Sequence, residues 1–222
     1  MSRVLILVEG QTEDTFVRDL LGPYLGKKGI FCISTLAKTK RVKSGLIFKG
    51  GIVSYPKVKN DIVRLLHDSS ALLVTTMIDF YGFSDKVPYR EEIKGNSGYR
   101  RVESLEQLFK KDIGDPRFYP YLQLHEFEAM IFVSPRDAAL TLMEERKERE
   151  MSKIKKSFRS PEEIDENPDT VPSRRLEKIF PAYKKMLHGP LILKKIGLEK
   201  IRQECSHFDQ WLTRLEGLGT HH

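Results

Sequence analysis

Five acidic residues stand where a strand-to-helix fold would gather them: Glu9 and Glu13 near the start, Asp79 in the middle, and Glu126 and Glu128 beyond. Each group follows an apolar run. Val4-Leu5-Ile6-Leu7-Val8 ends on Glu9, Ala71 to Ile78 ends on Asp79, and Tyr119 to Leu124 leads through His125 to Glu126. A carboxylate just past a buried strand is costly unless it is paired, hydrogen-bonded or metal-bound. In an open parallel sheet every strand finishes on the same edge, and sites form there. The three groups are therefore expected to face one crevice. Their oxygens suit Mg²⁺ or Mn²⁺, ions that keep several waters and need only two or three carboxylates. Acids in a first helical turn also offset the helix dipole, and for any single member of the set this plainer role serves equally well.

The elements that must hold these residues alternate. Val4 to Val8 and Phe31 to Leu36 read as strands, and the run from Ala71 to Ile78 is the strongest of all. Continuous apolar runs of this kind mark strands covered on both faces. Between the first two, Thr12 is a plausible N-cap for a helix with Phe16, Val17, Leu20 and Leu21 on its apolar face. Val58, Ile62, Val63, Leu65 and Leu66 mark a second helix, and Val102 to Lys111 a third. Residues 80 to 101, with proline, glycine and mixed charges, read mainly as a long loop. The fourth strand, Tyr119 to Leu124, runs into a turn and short helix around His125 to Phe132. Strands separated by helical crossovers give an α/β class: a mostly parallel sheet of about four strands flanked by helices. Residues 1–134 form that region. Residues 135–222 form a helical C-terminal region that packs on it or extends it, with helices expected over Ala138 to Lys156, Arg174 to Ile179, Leu191 to Ile196 and Leu198 to Leu215. Gly189 and Gly197 act as breaks.

Composition narrows the setting. The 222 residues are 40% hydrophobic and 31% charged, enough for a real core beneath a charged surface. No apolar run approaches the roughly 18 residues that a membrane span needs, and the opening apolar run is too short for a signal peptide. Two distant cysteines exclude a disulfide scaffold, and a cytoplasmic setting is expected. The net charge of +7 favours contact with phosphates. Lys38, Lys40, Arg41, Lys43 and Lys49 follow the second strand, hence the same edge as the acids, and suit a nucleic-acid backbone or an ordinary solvated face equally. Arg90, Lys94, Arg100 and Arg101 follow Asp79 in the same way. His125 would reach a phosphate or, more simply, hold a hydrogen bond at its strand end. Cys205, His207, Phe208, Trp211, Leu212 and Leu215 read as packing residues of the tail. The GxxxxGK[ST] phosphate loop is absent, which argues against ATP hydrolysis by this chain.

Val8-Glu9-Gly10-Gln11-Thr12-Glu13, with Phe16 and Val17, resembles the opening of Toprim-type domains, which occur in topoisomerases, primases and the overcoming-lysogenization-defect (OLD) nucleases. Further segments are Met77-Ile78-Asp79-Phe80-Tyr81-Gly82-Phe83, Gln123-Leu124-His125-Glu126-Phe127-Glu128-Ala129, and the tail from Lys195 to Trp211. Together the four resemble a bacterial family catalogued as domain of unknown function 4276, over nearly the whole chain. The resemblance implies a Toprim/Rossmann-like fold. It also implies that Glu9 is the Toprim glutamate, an acid/base or metal ligand, and that Asp79 opens an Asp-x-Asp element. Tyr81 occupies that element's second acidic position, and a phenol is no routine Mg²⁺ ligand at neutral pH. Glu126, Glu128 or Asp85 then supplies the missing charge, or the metal site is degenerate.

The implied activity is Mg²⁺-dependent cleavage of nucleic-acid phosphodiesters, with DNA the expected substrate, by a nuclease or nuclease subunit. The expected catalytic residues are Glu9, Glu13, Asp79 and Glu126, and the expected metal ligands Glu9, Asp79, Glu126 and Glu128. An ATPase partner protein and a phage-defence-type setting belong to the same resemblance. The alternatives are a non-catalytic Toprim-like adaptor or sensor binding nucleic acid or a partner protein, and phosphoryl transfer or hydrolysis on a small nucleotide.

Overall fold

β1 (Ser2–Val8) is buried along nearly all its length, because both faces of the sheet are covered. A computed structural model describes residues 2–37, 54–80, 83–95, 97–164 and 170–219 of the chain. From β1 the chain enters α1 (Gln11–Phe16), passes through a π-helical segment, Val17–Leu21, and continues as α2 (Gly22–Gly26) into β2 (Ile30–Leu36). Then come α3 (Tyr55–Leu66), β3 (Leu73–Asp79), α4 (Gly98–Ile113), β4 (Phe118–Tyr119) and β5 (Leu122–Gln123). The strand order is β2-β1-β3-β4, with β5 also beside β3, and all pairings are parallel. This is the expected parallel α/β sheet, with five strands in place of about four.

The fifth arises at Pro120. A proline has no N–H for the ladder, so the expected single strand Tyr119 to Leu124 splits in two. The Thr76 hydroxyl fills the gap: it donates to the Tyr121 carbonyl at 2.8 Å and accepts from the Tyr121 N–H at 2.9 Å. Register is kept across the break, with Val74 opposite Phe118 and Ile78 opposite Leu122.

The helical remainder comprises a 3-10 segment Phe127–Val133, then α5 (Pro135–Thr141), α6 (Glu148–Lys156), α7 (Pro172–Ile179), α8 (Lys185–Ile196), α9 (Leu198–Glu204) and α10 (Ser206–Glu216). Several expectations need correction. The charged stretch Ala138 to Lys156 is two helices. The tail from Leu198 to Leu215 breaks at Cys205, and Gly189 does not end a helix: α8 runs straight through Gly189-Pro190. Both residues are buried, and Gly189 lets α8 approach α1 so closely that an added Cβ would lie 3.2 Å from Thr12 Cγ2. Packing there outweighs the helix-breaking tendency of the pair. Thr12 itself is no N-cap. Gly10 holds that position without a side-chain bond, and Thr12 is buried in the first turn.

Two apolar layers sandwich the sheet. Leu5, Leu7, Val74 and Ile78 face α3 and α4. Val4, Ile6, Val8 and Met77 face α1 and much of the C-terminal helices, including Phe208, Trp211 and Leu215. The Trp211 indole N–H donates to the Thr75 hydroxyl of β3 at 2.9 Å, inside the core. Residues on both sides of position 134 thus contribute to one apolar cluster. Among the described residues, no helix is long and apolar enough to cross a membrane.

Candidate acidic site at the carboxyl edge of the sheet

The chain leaves β1 toward β2 on one side and returns to β3 on the other, so the strand order reverses between β1 and β3. Such a switch point opens a crevice at the carboxyl ends of the strands. Glu9 and Asp79 are the residues found there. β1 and β3 run in register to Val8 and Met77, and the Glu9 N–H extends the ladder by donating to the Met77 carbonyl at 3.2 Å. The Glu9 carboxylate accepts the Asp79 N–H at 3.1 Å. Asp79 in turn accepts the Phe127 N–H at 3.0 Å, which ties the end of β3 to the segment bearing Glu126 and Glu128.

Each of the other acids has its own anchorage. Glu13 is buried, and its carboxylate folds back over Gly10, where a Cβ would meet Glu13 Oε2 at 3.0 Å. A side chain at position 10 would press on that carboxylate. Glu126 accepts the Ser173 N–H at 2.8 Å, at the start of α7. Glu128 is fully buried, and its Oε2 accepts from the Lys185 ammonium at 3.0 Å. Its other oxygen has no hydrogen-bond partner among the described residues.

Lys185 is a member of this cluster that sequence reasoning missed. It comes from the first turn of α8, far along the chain, and nothing in its local sequence distinguishes it from neighbouring Lys184. Burial works to lower its pKa, yet the charges of Glu128, Asp79 and Glu13 outweigh that and hold the ammonium above the ordinary lysine range. The acids respond in the opposite sense. Burial pushes Glu9 up to about 7, helped by Glu13 and Glu126 and opposed by the Asp79 N–H and Lys185. Burial also raises Glu128 to about 7 against the pull of Lys185. Asp79 rises well above the ordinary carboxylate range, through burial first and the Glu9 charge second. Near neutral pH the cluster therefore holds protons that ordinary carboxyls would have lost.

The donor set suits a hard divalent cation in kind: carboxylate oxygens only, one of them, on Glu128, buried and without a partner. Its present spacing is wider than a closed cage. Among the described residues, no three His, Cys, Asp or Glu side chains are arranged to hold an ion together. His125 is buried and lies against Gly98 at the start of α4. The Arg101 guanidinium sits 5.5 Å from the centre of the Phe80 ring, next to Asp79 in sequence. Lys38, Lys40, Arg41, Lys43 and Lys49, and also Tyr81, lie outside the described residues.

A parallel α/β sheet with carboxylates gathered at its switch point and a lysine opposing them defines the structural class. Within it, the chain belongs to the family described as Domain of unknown function (DUF4276), whose model matches residues 8–216. No curated protein matches it. A solved structure that it matches is the C-terminal region of the Xanthomonas campestris pv. campestris OLD protein, at 14% identity and a TM-score of 0.40, over 96% of this chain and 98% of that one.

Proposed function

We propose that this chain is a Mg²⁺- or Mn²⁺-dependent nuclease, or the nuclease subunit of a larger assembly, that hydrolyses phosphodiester bonds of nucleic acid. The observation behind this reading is the meeting of Glu9, Asp79 and Glu128 with Lys185 at the switch point of the sheet. Buried acids left near their titration points, with one lysine among them, are costly to the fold, and such arrangements cluster at sites that do chemistry. Glu9, Asp79, Glu126 and Glu128 are the residues that would hold the ion. A bound divalent cation would polarise a phosphoryl oxygen and ease ionisation of water. The Lys185 ammonium would donate to a non-bridging phosphate oxygen and offset its charge. Glu9 or Glu13 would position the attacking water or accept its proton. DNA as substrate, the basic run from Lys38 to Lys49 as its backbone contact, an ATPase partner, a phage-defence role and a cytoplasmic setting are parts of this proposal.

A second reading, a non-catalytic adaptor or sensor that binds nucleic acid or a partner protein, is favoured by the lack of a closed three-ligand cage among the described residues. Cleavage assays on purified protein, with DNA and RNA in Mg²⁺ or Mn²⁺, separate the two. The nuclease reading expects cleavage that falls at least about 100-fold in Glu9→Gln, Asp79→Asn and Glu128→Gln, the scale of losing an electrostatic partner of the transition state. Nucleic-acid binding without cleavage in either metal selects the adaptor. Cleavage unchanged in all three variants shows the site to be elsewhere.

A further inference from the structure

Among the described residues, Glu128 Oε1 and Tyr183 Oη are buried and lack a hydrogen-bond partner. Tyr183 lies two residues before Lys185, whose ammonium holds the other oxygen of Glu128. Its side chain is buried, with only 7% of the residue exposed. The hydroxyl stands at the junction of α8 with α1: a Cβ on Gly189 would lie 3.4 Å from it and 3.2 Å from Thr12 Cγ2. Thr12 adjoins Glu13 in the first turn of α1. Burial and the nearby charge of Glu128 raise the phenol's pKa, which leaves its O–H a donor at every physiological pH.

An unmet buried hydroxyl is costly to the fold, and an unmet charged oxygen more so. Where Glu128 is ionised, a single small molecule can satisfy both only if it accepts from the phenol and donates to the carboxylate; where Glu128 is protonated, it must accept from both. A phosphoryl oxygen cannot donate, whereas water meets either state. We propose that Tyr183 and Glu128 together seat an ordered water in the acidic site, and that this is the water consumed in phosphodiester hydrolysis. The second half rests on the nuclease reading; the first does not. In the reaction the water oxygen bonds to phosphorus, and the leaving oxygen departs with the electron pair of the broken bond. One water proton ends on that leaving oxygen by way of solvent. Tyr183 is here a positioning residue, which fixes where the water sits before attack.

The test pairs Tyr183→Phe with a high-resolution crystal structure of each form of the full chain. The wild type is expected to show a water within hydrogen-bond distance of both Tyr183 Oη and Glu128 Oε1, and the variant to lose it. The variant's kcat is expected to fall about 10- to 100-fold with KM for nucleic acid within about twofold, the pattern of a group that acts after binding. Its Tm at pH 8 should fall modestly, because loss of the water leaves Glu128 Oε1 buried without a partner. A wild-type map with no water bridging the two atoms overturns the seat. A variant that keeps the wild-type kcat overturns the role of the water in hydrolysis. If the wild type cleaves nothing, the nuclease reading fails, while the water in the map still decides the seat.

Discussion

Glu128 shows what the acidic site costs at the level of one residue. Its carboxyl has a folded pKa of about 7 against 4.5 for the free group, so the folded state binds its proton more tightly than the unfolded chain. A raised carboxyl contributes stability that is fully present below the unfolded value and is lost as pH climbs through the folded one. Between pH 5 and pH 8 the protein is thus expected to lose stability at this position, at most about 3 kcal/mol. Glu128→Gln, an uncharged isostere, should abolish that slope. In thermal unfolding it should melt above the wild type at pH 8, by up to roughly 6–12 °C, and near it at pH 5. Equal pH slopes for the two proteins would show that Glu128 does not titrate in this window. Lys185→Met should act in the opposite direction at pH 8, because Glu128 would keep its burial and lose its counter-charge. Unfolding midpoints in urea at pH 8 should fall for Lys185→Met and recover in the double variant with Glu128→Gln. Absence of that recovery would mean that Lys185 stabilises the fold by another route. The acids were legible in the sequence because each interrupts an apolar run abruptly. Lys185 and Tyr183 were not, since a lysine in a lysine-rich stretch and a tyrosine near a helix start have no local mark of their destination.

At the level of elements, the strands with long apolar runs were legible and the helix boundaries of the tail were not. Periodicity locates an apolar face, but it does not report whether a break such as Pro190 or Cys205 is overridden by tertiary packing. Two elements depend on a single distant residue. α10 begins with N–H groups that its own first turn cannot satisfy. Glu162 reaches across to accept the N–H of His207 and of Phe208, each at 3.0 Å, and also the Tyr99 hydroxyl at 3.0 Å. Glu162→Ala should therefore destabilise the protein by about 2–4 kcal/mol, read from denaturant midpoints. A loss below about 0.5 kcal/mol would mean that water replaces the carboxylate freely. At the α1–α8 contact, Gly189→Val should push the two helices apart and move Lys185 with them. Its expected signature is a lowered Tm together with loss of the pH slope assigned to Glu128, since solvent would then reach the acid. A lowered Tm with the slope intact would place the strain away from the site.

Taken as a whole, the molecule covers both faces of a small parallel sheet and leaves its acidic cluster at one edge. The α/β class was legible from the alternation of strand and helix signals, and so was the convergence of the acids, because topology alone brings strand ends together. The fivefold strand count was not, as it turns on one proline and one threonine hydroxyl. A divalent cation that enters the site must compete with the protons held there. Mg²⁺ at about 100 times its dissociation constant would add about 2.7 kcal/mol, or roughly 5–11 °C in Tm, to the ionised form at pH 8. The shift should shrink steeply at pH 5, where Glu9 and Glu128 are protonated. A shift of the same size at both pH values would indicate binding outside the acids.

The long reach from Glu128 to Lys185 also has a bearing on biosynthesis. A ribosome delivers all five acids before it delivers the lysine that opposes them, and the last acid precedes that lysine by 57 residues. At about 5–20 residues per second, the nascent chain spends roughly 3–11 s with the acids made and their cation still unmade. Through that interval the growing sheet has its acidic edge without α8 against it.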